Sequence, residues 1–262
     1  MNEEVHSARG QAHPGRFFLA GFVTAAIMVG GIALVWDLTQ PGPSYETVPV
    51  VTCPSSYGIP DGQRPDYPSR ISMRVPNSVG SAFLDFYSDR YRILSPVLGP
   101  AGWNCSTNLG PDGTFEIAVY PVGHPDPLDS SAPAHGDVQT VISDGSSVCV
   151  GCSDDIACPV FTKALSNYPG TSCPLASPSR EFVTFLAGSY ISRHGTAQVY
   201  DPAGVYGSLP QSGGSNPANG IITYSASKVT SAGVLSCVLP PSDSNLCSVV
   251  IDNYVNPPSP MR

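Results

Sequence analysis

The sequence predicts an α+β protein, with an N-terminal single transmembrane helix followed by a disulfide-stapled, mostly antiparallel sheet domain carrying two or three short helices. Three observations predict it. A run of twenty uncharged residues, Phe17–Trp36, lies near the start, and all eight cysteines follow it. The remainder alternates short β-branched or aromatic segments with Gly, Pro, Asp and Ser.

The apolar run comes first. At about 1.5 Å per residue it spans roughly 30 Å, the thickness of a bilayer's hydrocarbon core. A cleavable signal peptide is shorter and ends in small residues; this run ends in Leu34-Val35-Trp36-Asp37, and no cysteine occurs before Cys53. An uncleaved anchor over 17–38 is therefore expected. Arg9 and Arg16 precede it, while Asp37 to Gln63 holds no Lys or Arg. The positive-inside rule then puts residues 1–16 in the cytoplasm and the rest outside the cell membrane, where cysteines oxidise.

Residues 39–70 are punctuated by proline and show no sustained period, which predicts an extended stalk pinned at Cys53. Residues 71–256 are long enough for one substantial core, and 257–262 read as a flexible tail. Strands are expected at Ile71–Val75, Tyr91–Leu94, Phe115–Tyr120, Val138–Ile142, Phe182–Leu186, Ala197–Tyr200, Gly220–Tyr224 and Val234–Leu239. Helices are expected at Ser81–Ser88, Asp154–Ser166 and Asp243–Tyr254, each with Ser or Asp near its start as a cap. The last two share a pattern of cysteine, Asp-capped turn, second cysteine and amphipathic helix, as a strand-to-helix staple used twice would require.

Charge narrows the partners. Residues 37–262 hold 18 Asp and Glu against 10 Lys and Arg, and Lys163 and Lys228 are the only lysines. Nucleic-acid binding and attachment to an anionic lipid surface both need clustered cations, so both are disfavoured. With 28 Pro and 26 Gly the domain should be loop-rich and held by bridges.

Three readings compete for the cysteines. Zinc wants two close pairs or matching histidines, and only Cys149-Val-Gly-Cys152 is closely paired. A redox centre wants C-x-x-C at a helix start, whereas the nearest expected helix begins after Cys152. Structural bridges are favoured, with the pairing Cys53–Cys105, Cys149–Cys173, Cys152–Cys158 and Cys237–Cys247.

No G-x-S-x-G, HExxH, Walker or dinucleotide motif occurs, and the paired acids match no calcium-loop spacing, so neither cofactor nor metal is expected. His194-Gly195-Thr196 resembles one piece of the L,D-transpeptidases, but a cysteine in Ser-His-Gly-Cys context is missing.

Several longer phrases carry a wider resemblance. They are Val97-Leu98-Gly99-Pro100-Ala101-Gly102-Trp103-Asn104-Cys105, Cys149-Val150-Gly151-Cys152 with Ala157-Cys158-Pro159-Val160-Phe161, Val199-Tyr200-Asp201-Pro202-Ala203-Gly204-Val205, Asn216 to Tyr224, and Ser236-Cys237-Val238-Leu239-Pro240 with Leu246-Cys247. Together they resemble a family of actinobacterial membrane-anchored or secreted extracytoplasmic domains of unknown function. The resemblance implies an envelope location and no activity. Within these phrases Gly102-Trp103 should place an indole beside a disulfide in the core, and Gly207–Gly220 should form a long loop. That loop is the expected binding element, through Tyr206, Ser212, Asn216 and Asn219.

The functional expectation is a single-pass membrane protein whose non-enzymatic outer domain binds an envelope polysaccharide or protein partner. The alternatives are an envelope hydrolase or transpeptidase-like enzyme centred on His194 and Asp201, and a thiol-disulfide oxidoreductase using Cys149 and Cys152.

Overall fold

Two sheets carry the computed structural model, which describes residues 44–55, 68–76, 79–89, 96–110, 112–129, 139–146, 150–165, 173, 182–186, 194–226 and 230–258. The chain divides into two compact units, Met1–Gly42 and Pro43–Arg262, and every described residue belongs to the second. The expected membrane helix and the expected strand Tyr91–Leu94 lie outside the described residues. Among the described residues no helix is long and apolar enough to cross a membrane.

The smaller sheet holds β1 (Ser44–Cys53), β2 (Arg70–Val75), β3 (Leu84–Asp89) and β4 (Val97–Pro100) in the order β2-β1-β3-β4. β1 runs antiparallel to β2 as far as Pro49↔Arg70, then parallel to β3 from Val50↔Phe86. This corrects the stalk expected over 39–70, because ten of its residues form a strand in the middle of a sheet, with Val48 fully buried. Pro49 falls at the handover between the two partners, a position that tolerates a residue without an N–H. A second correction concerns Ser81–Ser88, where only Ser81–Phe83 makes a 3-10 turn and Leu84 begins β3. All six residues of β3 are buried, so both faces are covered and the polar alternation that marks a strand is lost.

The larger sheet is antiparallel throughout. It holds β5 (Asn104–Leu109), β6 (Thr114–Tyr120), β7 (Thr140–Ser146), β8 (Phe182–Phe185), β9 (His194–Asp201), β10 (Ala218–Ala226) and β11 (Thr230–Val238) in the order β5-β6-β7-β11-β10-β9-β8. Helix α1 (Val150–Leu165) packs on β7, β10 and β11, and α2 (Ser244–Val255) packs on β4, β10 and β11.

Alternation assigns the two faces. Ile117, Val119, Val141, Ile221, Leu235 and Cys237 share one core with the smaller sheet and with Val249, Val250 and Ile251 of α2. Val199, Ile222, Tyr224, Val234 and Val238 share another with Ala157, Cys158 and Phe161 of α1. The larger sheet is thus a partition between two hydrophobic layers, and its strands alternate between apolar partners on both sides. Pro159 sits inside α1, and the backbone departs from helical geometry at Phe161 (φ −107°, ψ 23°), where the helix kinks.

Two expected bridges form. Cys53–Cys105 joins β1 to β5, hence one sheet to the other, and Cys237–Cys247 joins β11 to α2. The third, Cys158–Cys173, overturns the expected Cys152–Cys158 and Cys149–Cys173. The reason is the start of α1. Because the helix begins at Val150 rather than after Cys152, it holds Cys152 and Cys158 six residues apart in continuous helix, about 9 Å along the axis and beyond bridging reach. Cys152 is itself disulfide-bonded, Cys149 lies outside the described residues, and no described cysteine is free. The same early start puts Asp154 in the second turn, where it is buried, instead of at a cap. The bridge from α1 runs forward to Cys173 while that from α2 runs back to β11, so a staple used twice is not what the fold contains.

Candidate functional site

A groove of about 440 Å³ opens between the two ends of the smaller sheet's connections and the start of α2. Three pieces of chain build it, and the fold holds each in place by a specific bond. The first is the 3-10 turn before β3, which projects Phe83, 67% exposed, into solvent. The second is the turn between β4 and β5, which presents Trp103 half-buried. The third is Leu239 to Leu246, which brings Ser242, Asp243 and Asn245 to the opposite wall.

The position of Trp103 is set from below. Gly102 adopts φ 74°, a left-handed conformation that favours glycine, and its N–H donates to Asp85 Oδ2 at 2.8 Å. The Trp103 N–H donates to the Tyr87 hydroxyl at 3.1 Å, and that hydroxyl donates in turn to the Pro100 carbonyl. Tyr87 is fully buried, and burial drives its ionisation well above the ordinary phenol value, so the hydroxyl stays a neutral donor. Ala101 N–H donates to the Phe83 carbonyl at 2.9 Å, coupling the first wall to the second. The Trp103 backbone is thus fixed, and its half-buried side chain packs against the core that holds Cys53 and Cys105 while also lining the groove.

The third wall is a helix entry. Asp243 N–H donates to the Pro240 carbonyl at 2.8 Å, and Cys237–Cys247 clamps the following turn to β11. Asp243 occupies the residue before α2, yet its carboxylate makes no cap hydrogen bond. Sequence reasoning assigned that carboxylate to capping; the fold leaves it exposed at the groove, the one charged side chain of the lining.

The expected binding loop has a different character. Ser212 is buried, and its hydroxyl accepts the Gly207 N–H at 3.0 Å. Leu209 is buried in the α1-side core and its N–H donates to Asp201 Oδ2 at 3.1 Å. A side chain at Gly207 would put its first carbon 2.0 Å from Asp201 Oδ1, so the backbone there passes where only glycine fits. Ser236 Oγ donates to the Pro210 carbonyl at 2.7 Å. Of the four residues singled out, Tyr206 is exposed, Asn216 is half-buried, and Asn219 lies within β10 opposite Tyr200.

His194 and Asp201 do not converge. They begin and end the eight residues of β9, so seven steps of about 3.3 Å part them by roughly 23 Å, and their alternation puts them on opposite faces. His194 is exposed while Asp201 is buried beneath its loop. At the C-x-x-C, Cys152 Sγ lies 3.7 Å from Asp112 Oδ2.

One titrating group stands out elsewhere. Asp144 on β7 lies directly across from Glu116 on β6, whose Oε2 accepts from Asn108 Nδ2 at 3.1 Å. Burial, and then the Glu116 charge, push the Asp144 carboxyl from its ordinary 3.8 up to about 6. Between those two values the folded chain binds more protons than the unfolded one, so stability falls as pH rises through this window. The full cost, present above about pH 6, is roughly 3 kcal/mol. Asp144→Asn is expected to raise the melting temperature at about pH 7.5 and to leave it nearly unchanged at about pH 3.5. An equal gain at both values would sink this assignment.

Comparison of the chain with protein-family models, with curated proteins and with solved structures finds no match in any of the three, so the groove stands as the site to be explained.

Proposed function

We propose that the chain is a single-pass membrane protein whose sheet domain stands outside the cytoplasmic membrane and captures an envelope component or protein partner in this groove, without chemistry of its own. The apolar run Phe17–Trp36 and the asymmetric arginines support the topology, and the bridging of the cysteines supports an oxidising compartment. One observation carries the binding reading. A Phe side chain 67% exposed and a half-buried Trp, its backbone N–H bonded to the buried Tyr87 hydroxyl, line one open concavity together with three polar side chains. Exposed aromatics in concave surfaces are the usual anchors of recognition, and truncating one typically costs 2 kcal/mol or more.

The test is photo-crosslinking in intact cells from a benzophenone amino acid at position 83, with position 122 as a control, since Val122 is about as exposed but takes no part in the lining. Adducts are expected at 83 only, and Trp103→Ala is expected to weaken capture by about thirtyfold. Equal adduct yield at both positions would defeat the proposal.

A further inference from the structure

We infer that Cys149-Val150-Gly151-Cys152 is a second working site of this chain, an exchangeable disulfide that oxidises the dithiol of a partner protein. This goes beyond capture in the groove, in whose lining neither Cys152 nor Asp112 takes part.

Counting fixes the connectivity. The chain has eight cysteines, and six of them pair as Cys53–Cys105, Cys158–Cys173 and Cys237–Cys247. Cys152 is disulfide-bonded, so within one chain its partner is the eighth, Cys149. A redox C-x-x-C belongs at a helix start, and α1 begins at Val150 rather than after Cys152, so the motif occupies that place. Cys152 is the third residue of the helix. No acidic side chain of α1 lies in its first turn, so the partial positive charge of the helix start favours a thiolate over a thiol there.

Two features set this bridge apart from the other three. Its cysteines are three positions apart, 149 to 152, against separations of 52, 15 and 10, so it restrains the unfolded chain least and costs the fold least to open. Cys152 is also half-buried, whereas each of the other bridges has at least one buried end, in Cys53, Cys105, Cys158, Cys237 or Cys247. Exchange requires a thiolate to reach the sulfur, and the buried bridges deny it that access.

The neighbouring carboxylate completes the site. Asp112 Oδ1 accepts the Thr114 hydroxyl at 2.7 Å and the Thr114 N–H at 3.2 Å, which fixes the side chain with Oδ2 3.7 Å from Cys152 Sγ. A thiolate of the partner attacks the Cys149 sulfur, the Cys149–Cys152 bond breaks, and its electron pair leaves on Cys152, which takes up a proton relayed by Asp112 Oδ2. The partner's second thiol then gives up its proton and attacks the mixed disulfide at the partner's own sulfur, releasing Cys149 as a thiolate. Two electrons pass in all: the partner's dithiol becomes a disulfide, and this chain's disulfide becomes a dithiol.

The experiment uses the full chain, oxidised, in nanodiscs. Digestion without reduction and peptide mass spectrometry should return Cys149 joined to Cys152. Limiting dithiothreitol followed by timed alkylation should label these two at least about tenfold faster than the cysteines of the other bridges. One equivalent of protein should oxidise a synthetic peptide carrying two cysteines. Cys152→Ser, given that peptide as its disulfide, should hold it in a mixed disulfide at Cys149, and Asp112→Asn should slow exchange by about tenfold and alter its pH profile. Should the serine variant fail to fold, alkylation and peptide oxidation by the unaltered protein decide. A different partner for Cys152, labelling of the pair no faster than that of Cys158–Cys173, or fast labelling without transfer to the peptide overturns the proposal. An unchanged rate and pH profile in Asp112→Asn overturns the part given to the carboxylate.

Discussion

Replacing Cys53 and Cys105 together by alanine is expected to lower the unfolding free energy of the sheet domain by about 4 kcal/mol, a large share of what an ordinary domain has. The bridge spans 52 residues of sequence and links the central strand of the smaller sheet to an edge strand of the larger one. The Thr107 N–H and hydroxyl both donate to the Pro54 carbonyl, at 2.9 and 3.2 Å, and Ser55 pairs with Thr107 in an isolated parallel bridge. Without the disulfide, these bonds and the core that the two sheets share must hold the long loop closed. Urea denaturation of the double variant, beside Cys237→Ala with Cys247→Ala, gives the measure. The shorter bridge, with ten residues of separation, is expected to cost about 3 kcal/mol. A larger loss from the shorter bridge would show that local strain or packing, not closure of the chain, dominates.

Phe161→Ala is expected to cost 3–5 kcal/mol, the range for truncating a buried aromatic. Phe161 is 1% exposed at the kink of α1, its ring 4.5 Å from that of Tyr224 and 5.8 Å edge-on from that of Phe185. The rings of Tyr224 and Phe161 lie over Gly195, where an added carbon would come within 2.1 Å of the first and 2.8 Å of the second. Strand β9, β10 and the helix thus meet at one aromatic contact with no spare volume, and a void there cannot close by small shifts. Thermal unfolding should show the loss, with Phe161→Leu keeping most of the stability. Equal effects of Ala and Leu would mean that the ring's shape, not its bulk, is what the site needs.

How far the sequence discloses this fold can be seen element by element. β2, β6, β8, β9, β10 and β11 stand close to the expected segments, because each is a β-branched or aromatic run bounded by turn residues. β7 starts two residues later than expected and runs four further, through Ser143, Asp144, Gly145 and Ser146, which carry no strand signal of their own. β5 is hidden for the same reason. Its Ser106 and Thr107 are buried, made tolerable by bonds to Asp126 at 2.6 Å and to the Pro54 carbonyl, which no local pattern reveals. β1 is concealed by its prolines and β3 by its doubly buried faces. In each case the deciding partner lies far along the chain.

The candidate site was less legible still. Phe83 reads as part of a helix face, Trp103 as core and Asp243 as a cap, each a sound local inference. Only the meeting of three distant turns makes them one surface. The long Gly207–Gly220 loop, by contrast, carries every local mark of a binding element. Its backbone also encloses Asp201 and seats Leu209, and the Ser212 hydroxyl serves the loop's own conformation.

The position of β11 governs how this protein can be made. Strands β5, β6 and β7 emerge early during synthesis and β8, β9 and β10 later, yet no strand of one triplet is hydrogen-bonded to a strand of the other; β11, which follows them all, is the wedge that joins them. Until residue 238 is free, a growing chain carries two unfinished sheets with open edges at β7 and β10, each a template for pairing with a neighbouring molecule. Completion of the sheet must then wait for β11. A nascent polypeptide stalled before it would be a candidate for aggregation or proteolysis, and its survival depends on how quickly residues 230–238 follow.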